Sequence, residues 1–217
     1  MSDFCLKNKA KALLTAHNLE DQVETFFIRL SRGSGLKGLS GMSYKSKIRK
    51  NVNLYRPLLE VNKSNLIKIS KLIFHSYVKD PSNKNFKYLR TKVRSLKKHL
   101  EKSGIEYNQI FKSINNLSKS KASLESFLNK IFYEIIKRKD RAILINLEKF
   151  KDYNNEIKIA IINEAIRKLK KNYYDLRAKK VNNLINIIKN KEFKRTTLGG
   201  CIFSKKGNHL CLENEKT

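Results

Sequence analysis

Asp21 and Glu24 stand three residues apart in the stretch HNLEDQVET, with His17 and Glu20 just ahead of them. On a helix that spacing puts both carboxylates on one face. Such a pair can hold an ammonium group, share a Mg2+ ion with phosphates, or supply a general base. The same acids also suit a helix start, where they cap free N–H groups and meet the positive end of the macrodipole. Spacing alone therefore leaves chemistry and capping both open. His17 by itself reads more readily as structural than as a ligand. Arg90 and Arg94 are one helical turn apart, with Lys87 nearby. They form a basic face that is either a solvated surface or a set of phosphate contacts, for which the arginine fork is suited. Arg29 and Arg32 fall where the first helix should end, a position that compensates the helix dipole.

The elements that must position these groups follow from periodicity. Lys11 to His17 (KALLTAH) is a short apolar run and predicts a buried strand. Asn18 then predicts an N-cap, with Asp21 in the acid position of a capping box. Val23, Phe26, Phe27 and Leu30 mark one apolar helix face, ending at Gly33, and GSGLKGLSGM predicts a glycine-punctuated turn. Val52 to Val61 predicts a second buried strand, which Pro57 must end or push to an edge. Ser64 is placed to cap a helix with Leu66, Ile69, Leu72 and Ile73 on one face. Asp80-Pro81-Ser82-Asn83 predicts a turn before the basic helix.

From about Ile105 the pattern is mostly helical, with apolar stripes at Leu124–Ile135, Ile157–Leu169 and Val181–Ile188. RAILINLEKF reads as a possible strand between the first two stripes. The tail around Lys206-Gly207-Asn208 alternates apolar and polar residues and predicts a β-hairpin. The expected fold is an α/β sheet over residues 1–100. A mostly helical domain ending in the hairpin should cover 101–217.

Composition narrows the classes. Net charge is +29 with a pI near 10.1, which favours polyanionic partners and nucleic acid first. The chain is rich in Lys, Asn and Ile and has no Trp, a bias AT-rich coding can produce alone, so basicity does not name the partner. No apolar run approaches the roughly 20 residues of a membrane span, and no membrane partner is expected. MSDFCLKNKAK lacks the apolar centre of a signal peptide, so the expected compartment is the cytoplasm, or the matrix or stroma for an organelle-encoded protein. Cys5, Cys201 and Cys211 form no CxxC pair, and no metal site is expected from them.

Taken in order, these segments resemble the tRNA(Ile)-lysidine synthetases of the pyrophosphatase-loop ATPase superfamily. AHNLEDQVETFFIRLSRGSGLKGLSGM is similar to that family's H-x-x-D-D-x-x-E-T…RGSG-x-x-GL segment. RPLLEVNKSNLIKI is similar to its R-P-L-L segment and following helix, and DPSNKNFKYLRTKVR to its D-x-S-N-x-x-x-x-x-x-R-N-x-x-R. The resemblance covers residues 5 to 100 and is looser beyond, where TTLGGCIF resembles the segment closing the family's middle region. It implies a ligase that uses ATP, with Mg2+ expected, to adenylate the C2 carbonyl oxygen of the wobble cytidine in a CAU anticodon. The amino group of free lysine then displaces AMP. By motif, Asp21, Glu24 and Arg94 would be catalytic, and His17, Glu20 and Arg90 would bind substrate or nucleotide. Lys87, Arg90, Arg94 and Arg32 would contact tRNA.

This sequence departs from the family pattern at Asn18, Glu20 and Thr91, where the family has His, Asp and Asn. The larger departure is that the S-G-G-x-D-S loop, which cradles pyrophosphate through backbone donors, does not occur in it, so the resemblance implies an incomplete α/β sheet that lacks its first strands. The chain alone is therefore not expected to turn over ATP, and a separate N-terminal polypeptide carrying that loop is an expected partner. Two other readings are open: an inactive basic RNA-binding or assembly module, and a related tRNA thiolase. The lack of CxxC pairs argues against the thiolases that use them.

Overall fold

The computed structural model describes residues 2–49, 52–78, 86–170, 175–190 and 192–215. The turn expected at Asp80-Pro81-Ser82-Asn83 lies outside them. The chain forms two compact units, residues 1–122 and 123–217.

The first unit runs α1 (Ser2–Lys7), β1 (Ala12–Leu14), α2 (Leu19–Leu30), α3 (Leu36–Leu39), β2 (Lys45–Arg49), β3 (Val52–Tyr55), α4 (Lys63–Phe74), α5 (Leu89–Ser95), α6 (Lys97–Lys102) and the first part of α7 (Tyr107–Ile135). Its sheet has the order β1-β3-β2, with β1 parallel and β2 antiparallel to β3. β3 stops at Tyr55, two residues before Pro57, because proline cannot donate to the ladder. A small core joins Leu19 and Val23 of α2 to Tyr107, Ile110 and Ile114 of α7, with Phe26, Phe27, Leu100 and Phe111 around it.

Three sequence expectations are corrected in this unit. β1 is not buried: it is an edge strand among the described residues, and Leu14 is 66% exposed. The stripe on α4 is not core either, since Ile69, Leu72, Ile73 and Phe74 all face outward with no element packed over them among the described residues. Ser64 does not cap α4. The helix starts one residue earlier, and the Lys63 backbone N–H is met by Glu20 Oε2 at 2.8 Å instead.

The second unit contains the rest of α7 followed by β4 (Ile136–Lys139), β5 (Ala142–Asn146), α8 (Leu147–Lys151), α9 (Asn155–Leu169), α10 (Ala178–Lys189), β6 (Arg195–Leu198), β7 (Cys201–Lys206) and β8 (His209–Asn214). The tail hairpin β7–β8 is present, but it belongs to a five-stranded antiparallel sheet, β4-β5-β8-β7-β6. Gly199 and Gly200 link β6 to β7 with φ of 62° and 69°. Two consecutive positive φ angles are what a two-residue hairpin turn of type I′ needs. Side-chain caps start α8 and α9: Asn146 accepts from Lys149 N–H, and Asn154 from Ile157 N–H. The core of this unit joins Ile161, Ile162, Ala165 and Ile166 of α9 with Val181, Leu184 and Ile185 of α10. These pack on Ile143, Ile145, Phe203, Leu210 and Leu212 of the sheet. The stripes read on α9 and α10 are thus core faces. On α7 only the C-terminal part of the stripe is buried. Ile131 and Ile135 are inside, whereas Leu124 and Phe127 are exposed.

Candidate functional site

The site starts where β1 gives way to α2. Thr15 N–H still pairs with Tyr55 O at 2.9 Å, and Leu19 N–H with Val61 O at 3.1 Å, so the junction is tied to β3 and the turn after it. Between them the capping box forms as the sequence implies. Asn18 Oδ1 accepts from Asp21 N–H, and Asp21 Oδ2 accepts from Asn18 N–H, both at 3.0 Å. His17 Nδ1 and Thr15 Oγ1 are 2.8 Å apart. Burial holds the His17 pKa below its usual value. The Asp21 carboxylate opposes that shift, and Arg56 and Arg90 add to it.

The acidic face of α2 meets the basic face of α5. Arg90 donates from Nε to Glu24 Oε2 and from an NH2 nitrogen to Asp21 Oδ1, each at 2.8 Å. Arg94 donates to both Glu24 oxygens, at 2.6 and 3.0 Å, and these bonds raise its pKa. The turn spacing of Asp21 and Glu24 thus matches the turn spacing of Arg90 and Arg94 across the helix pair. Glu24 is only 1% exposed, a burial a carboxylate tolerates only when paired and hydrogen-bonded. Glu20 accepts from Lys63 N–H, and its other oxygen lies 3.8 Å from Lys97 Nζ. The oxygens of Glu20, Asp21 and Glu24 are therefore all faced by donors or cations of the chain itself. They leave no unengaged carboxylate pair for a Mg2+ ion. Among the described residues, no group of His, Cys, Asp and Glu is placed to hold a metal, and Cys5, Cys201 and Cys211 are buried and free.

Beside this lattice is a cleft of about 290 Å3, whose lining includes the acids Glu20, Asp21 and Glu24, the cations Lys63, Arg94 and Lys97, and Tyr107. Lys97 Nζ lies 4.9 Å from the centre of the Tyr107 ring. The Tyr107 hydroxyl is buried without a hydrogen-bond partner, and burial, reinforced by Glu24, pushes its pKa up to about 12.

The structure therefore brings together Glu20, Asp21, Glu24, Arg90 and Arg94, with His17 at the same junction. Arg32 and Lys87 are exposed and take no part in the lattice contacts described. Sequence reasoning missed three residues. Gln22 clamps the glycine-rich turn: its amide donates to Met42 O at 2.8 Å and accepts from Met42 N–H at 2.7 Å. Arg29 donates to Gly38 O and Gly41 O at 2.7 and 2.9 Å, so it fixes the turn and does more than balance a dipole. Tyr107 lies beyond the region of ordered motifs and carries no charge, so nothing in the one-dimensional pattern marks it.

Residues 1–100 match the PP-loop domain family. A tRNA(Ile)-lysidine synthase of Wolbachia pipientis is 30% identical over 219 residues, covering 100% of this chain and 51% of that protein. One of Rickettsia felis is 31% identical over 221 residues, covering 99% and 50%. The U34-tRNA thiolase NcsA of Methanococcus maripaludis shows a slight likeness, with a TM-score of 0.41 and 21% identity over 54% of this chain and 39% of that one. The chain spans about half the length of the synthases it matches. Over its whole length the chain is thus similar in sequence to tRNA(Ile)-lysidine synthases, and its residues 1–100 match the PP-loop domain family.

Proposed function

We propose that this chain supplies the amino-acid and anticodon side of an ATP-dependent ligase that joins lysine to C2 of the wobble cytidine in tRNA(Ile) bearing a CAU anticodon. The observation that carries the reading is the meeting of HNLEDQVET with Arg90 and Arg94, about seventy residues away in sequence, in one ion-paired lattice. A structural cap would need only Asn18 and Asp21. In the reaction, the C2 carbonyl oxygen attacks the α-phosphorus of ATP and pyrophosphate leaves. The lysine amine then attacks C2, AMP leaves with the oxygen, and the amine loses a proton. Any Mg2+ would come bound to the nucleotide phosphates, since the oxygens of Glu20, Asp21 and Glu24 are engaged by the chain's own donors.

The lattice of Glu20, Asp21 and Glu24 against Arg90, Arg94 and Lys97 is balanced in charge. In the working form a phosphate draws Arg90, the more exposed arginine (41%), off Asp21 Oδ1, which then receives the lysine ammonium. Arg94 stays with Glu24 and steadies that acid. Arginine forks on phosphate and carboxylates on an ammonium are the pairings such an exchange needs. His17 and Thr15 hold the strand-to-helix junction from which these groups project.

The ATP phosphates are held by a segment bearing S-G-G-x-D-S, and the parallel β1, with its open edge among the described residues and exposed Leu14, supports a strand added there. The tRNA-contacting role falls to the C-terminal part of the chain, within the second unit, residues 123–217. The open hollow of about 540 Å3 edged by Lys139, Arg141 and Lys206 supports that role. The complex works in the cytoplasm, where tRNA, ATP and free lysine are together.

The test combines this chain, the S-G-G-x-D-S polypeptide, ATP, lysine and unmodified tRNA(Ile), with lysidine read by nucleoside mass spectrometry. Lysidine should form only with both polypeptides. Unmodified tRNA, with the two soluble and bound to each other, would reject the ligase reading. It would favour an RNA-binding module, which the full occupancy of the carboxylates by the chain's own donors also suits.

A further inference from the structure

Tyr107 presents a problem that the lattice does not solve. Its hydroxyl is sealed from water and makes no hydrogen bond, which costs about 1–3 kcal/mol for a buried donor. Native structures seldom keep such a group without a use. Tyr107 lines the cleft together with Glu20, Asp21 and Glu24 of α2 and the cations Lys97 and Arg94. Its pKa of about 12 keeps it protonated through the working pH range, so it can only be offered as a donor to an incoming acceptor. Lys97 Nζ lies 4.9 Å from the centre of the ring, on a side chain that is 37% exposed. An ammonium therefore stands beside the phenol.

We infer that Tyr107 and Lys97 form the corner of the cleft that receives the α-carboxylate of the amino-acid substrate, making Tyr107 a specificity-determining residue. The inference rests on the proposed amino-acid site and adds its second pole. The acids of the lining suit an ammonium, and Tyr107 with Lys97 offers a hydroxyl donor and a cation to an anionic oxygen. Carboxylate and phosphate share that chemistry. The cleft's two-signed lining and small volume fit a zwitterion of lysine's size.

The test uses the full 217-residue chain and calorimetric titration with L-lysine and cadaverine, each with and without saturating ATP to draw off Arg90, and with inorganic phosphate alone, on the wild type and on Tyr107→Phe. The wild type should bind lysine more tightly than cadaverine, which lacks the carboxylate. Tyr107→Phe should weaken lysine roughly tenfold, the effect of one lost hydrogen bond to a charged group, and leave cadaverine unchanged. Its thermal midpoint should be equal to or above that of the wild type, because no protein hydrogen bond is lost. Equal lysine binding by wild type and Tyr107→Phe would overturn the inference alone. So would a lowered midpoint in the variant, or phosphate binding that the variant loses while lysine binding stays. If the wild type binds no lysine at all, the amino-acid reading of the cleft fails, and the inference with it.

Discussion

Glu24 carries more of the site than its neighbours do. It is the most enclosed carboxylate of the lattice and holds two arginines at once. Glu24→Gln keeps the shape but leaves two guanidinium groups against a neutral amide. Removing one partner of a buried pair costs about 3–5 kcal/mol, and partial exposure of both arginines lowers the expectation to roughly 2 kcal/mol. That corresponds to a thermal midpoint about 4–8 °C lower for a chain of this size, measurable by circular dichroism. Asp21→Asn, on a more exposed carboxylate, should lower the midpoint by less and lysidine formation by more. Sequence spacing marked both acids alike, and only the three-dimensional burial separates them. His17 gives a pH signature. Its folded pKa lies below the unfolded value, so the unfolded chain binds the proton more readily. The stabilisation is complete above about pH 6.5 and is lost as pH falls toward the folded pKa. The urea midpoint should drop between pH 7.5 and 5.5, and His17→Gln should drop less over the same interval.

Among the elements, the glycine-rich turn was legible as a turn, but not in what holds it. Gly41 has φ of 73°, and a Cβ there would come within 2.7 Å of both Gln22 Oε1 and Ile114 Cγ2. Gly41→Ala should therefore cost more than the usual penalty of a positive φ, about 2–3 kcal/mol. A fall in urea midpoint of less than half that would mean the Gln22 clamp yields without loss. The strands that sequence missed share a cause. β2, Lys45–Arg49 (KSKIR), is too basic and too polar to show alternation. β4, Ile136–Lys139, follows α7 without a break, so its apolar residue extends the helical stripe. The hairpin β7–β8 was visible because Gly207 sits between two alternating runs, whereas its place in a five-stranded sheet depends on pairing with β5, which no local pattern encodes. α2 was read almost to the residue because its cap is written within four consecutive positions.

For the whole molecule, the charge of +29 is unevenly available. Arg90 and Arg94 are committed to acids, so the basic face read from sequence is half spent internally. Arg32, exposed at the end of α2, is the cation the proposed RNA contact would use. Binding to tRNA should weaken steeply with salt, and Arg32→Ala should reduce the logarithmic slope by about 0.7–0.9 without changing the thermal midpoint. Arg94→Ala should instead act mainly through stability. Filter binding across 50–200 mM salt, set beside melting curves, separates the two. Sequence order alone carried the family resemblance, because the motifs are contiguous. It could not show that two of them neutralise each other.

The Gln22 amide engages both the N–H and the C=O of Met42, as a neighbouring strand would. It reads main chain and is blind to the side chain at that position. Residue 42 is therefore free to vary among homologues while the turn stays in place, whereas position 22 tolerates only a side chain with a donor and an acceptor at that reach. A single amide thus lets the turn change its sequence without changing where it lies.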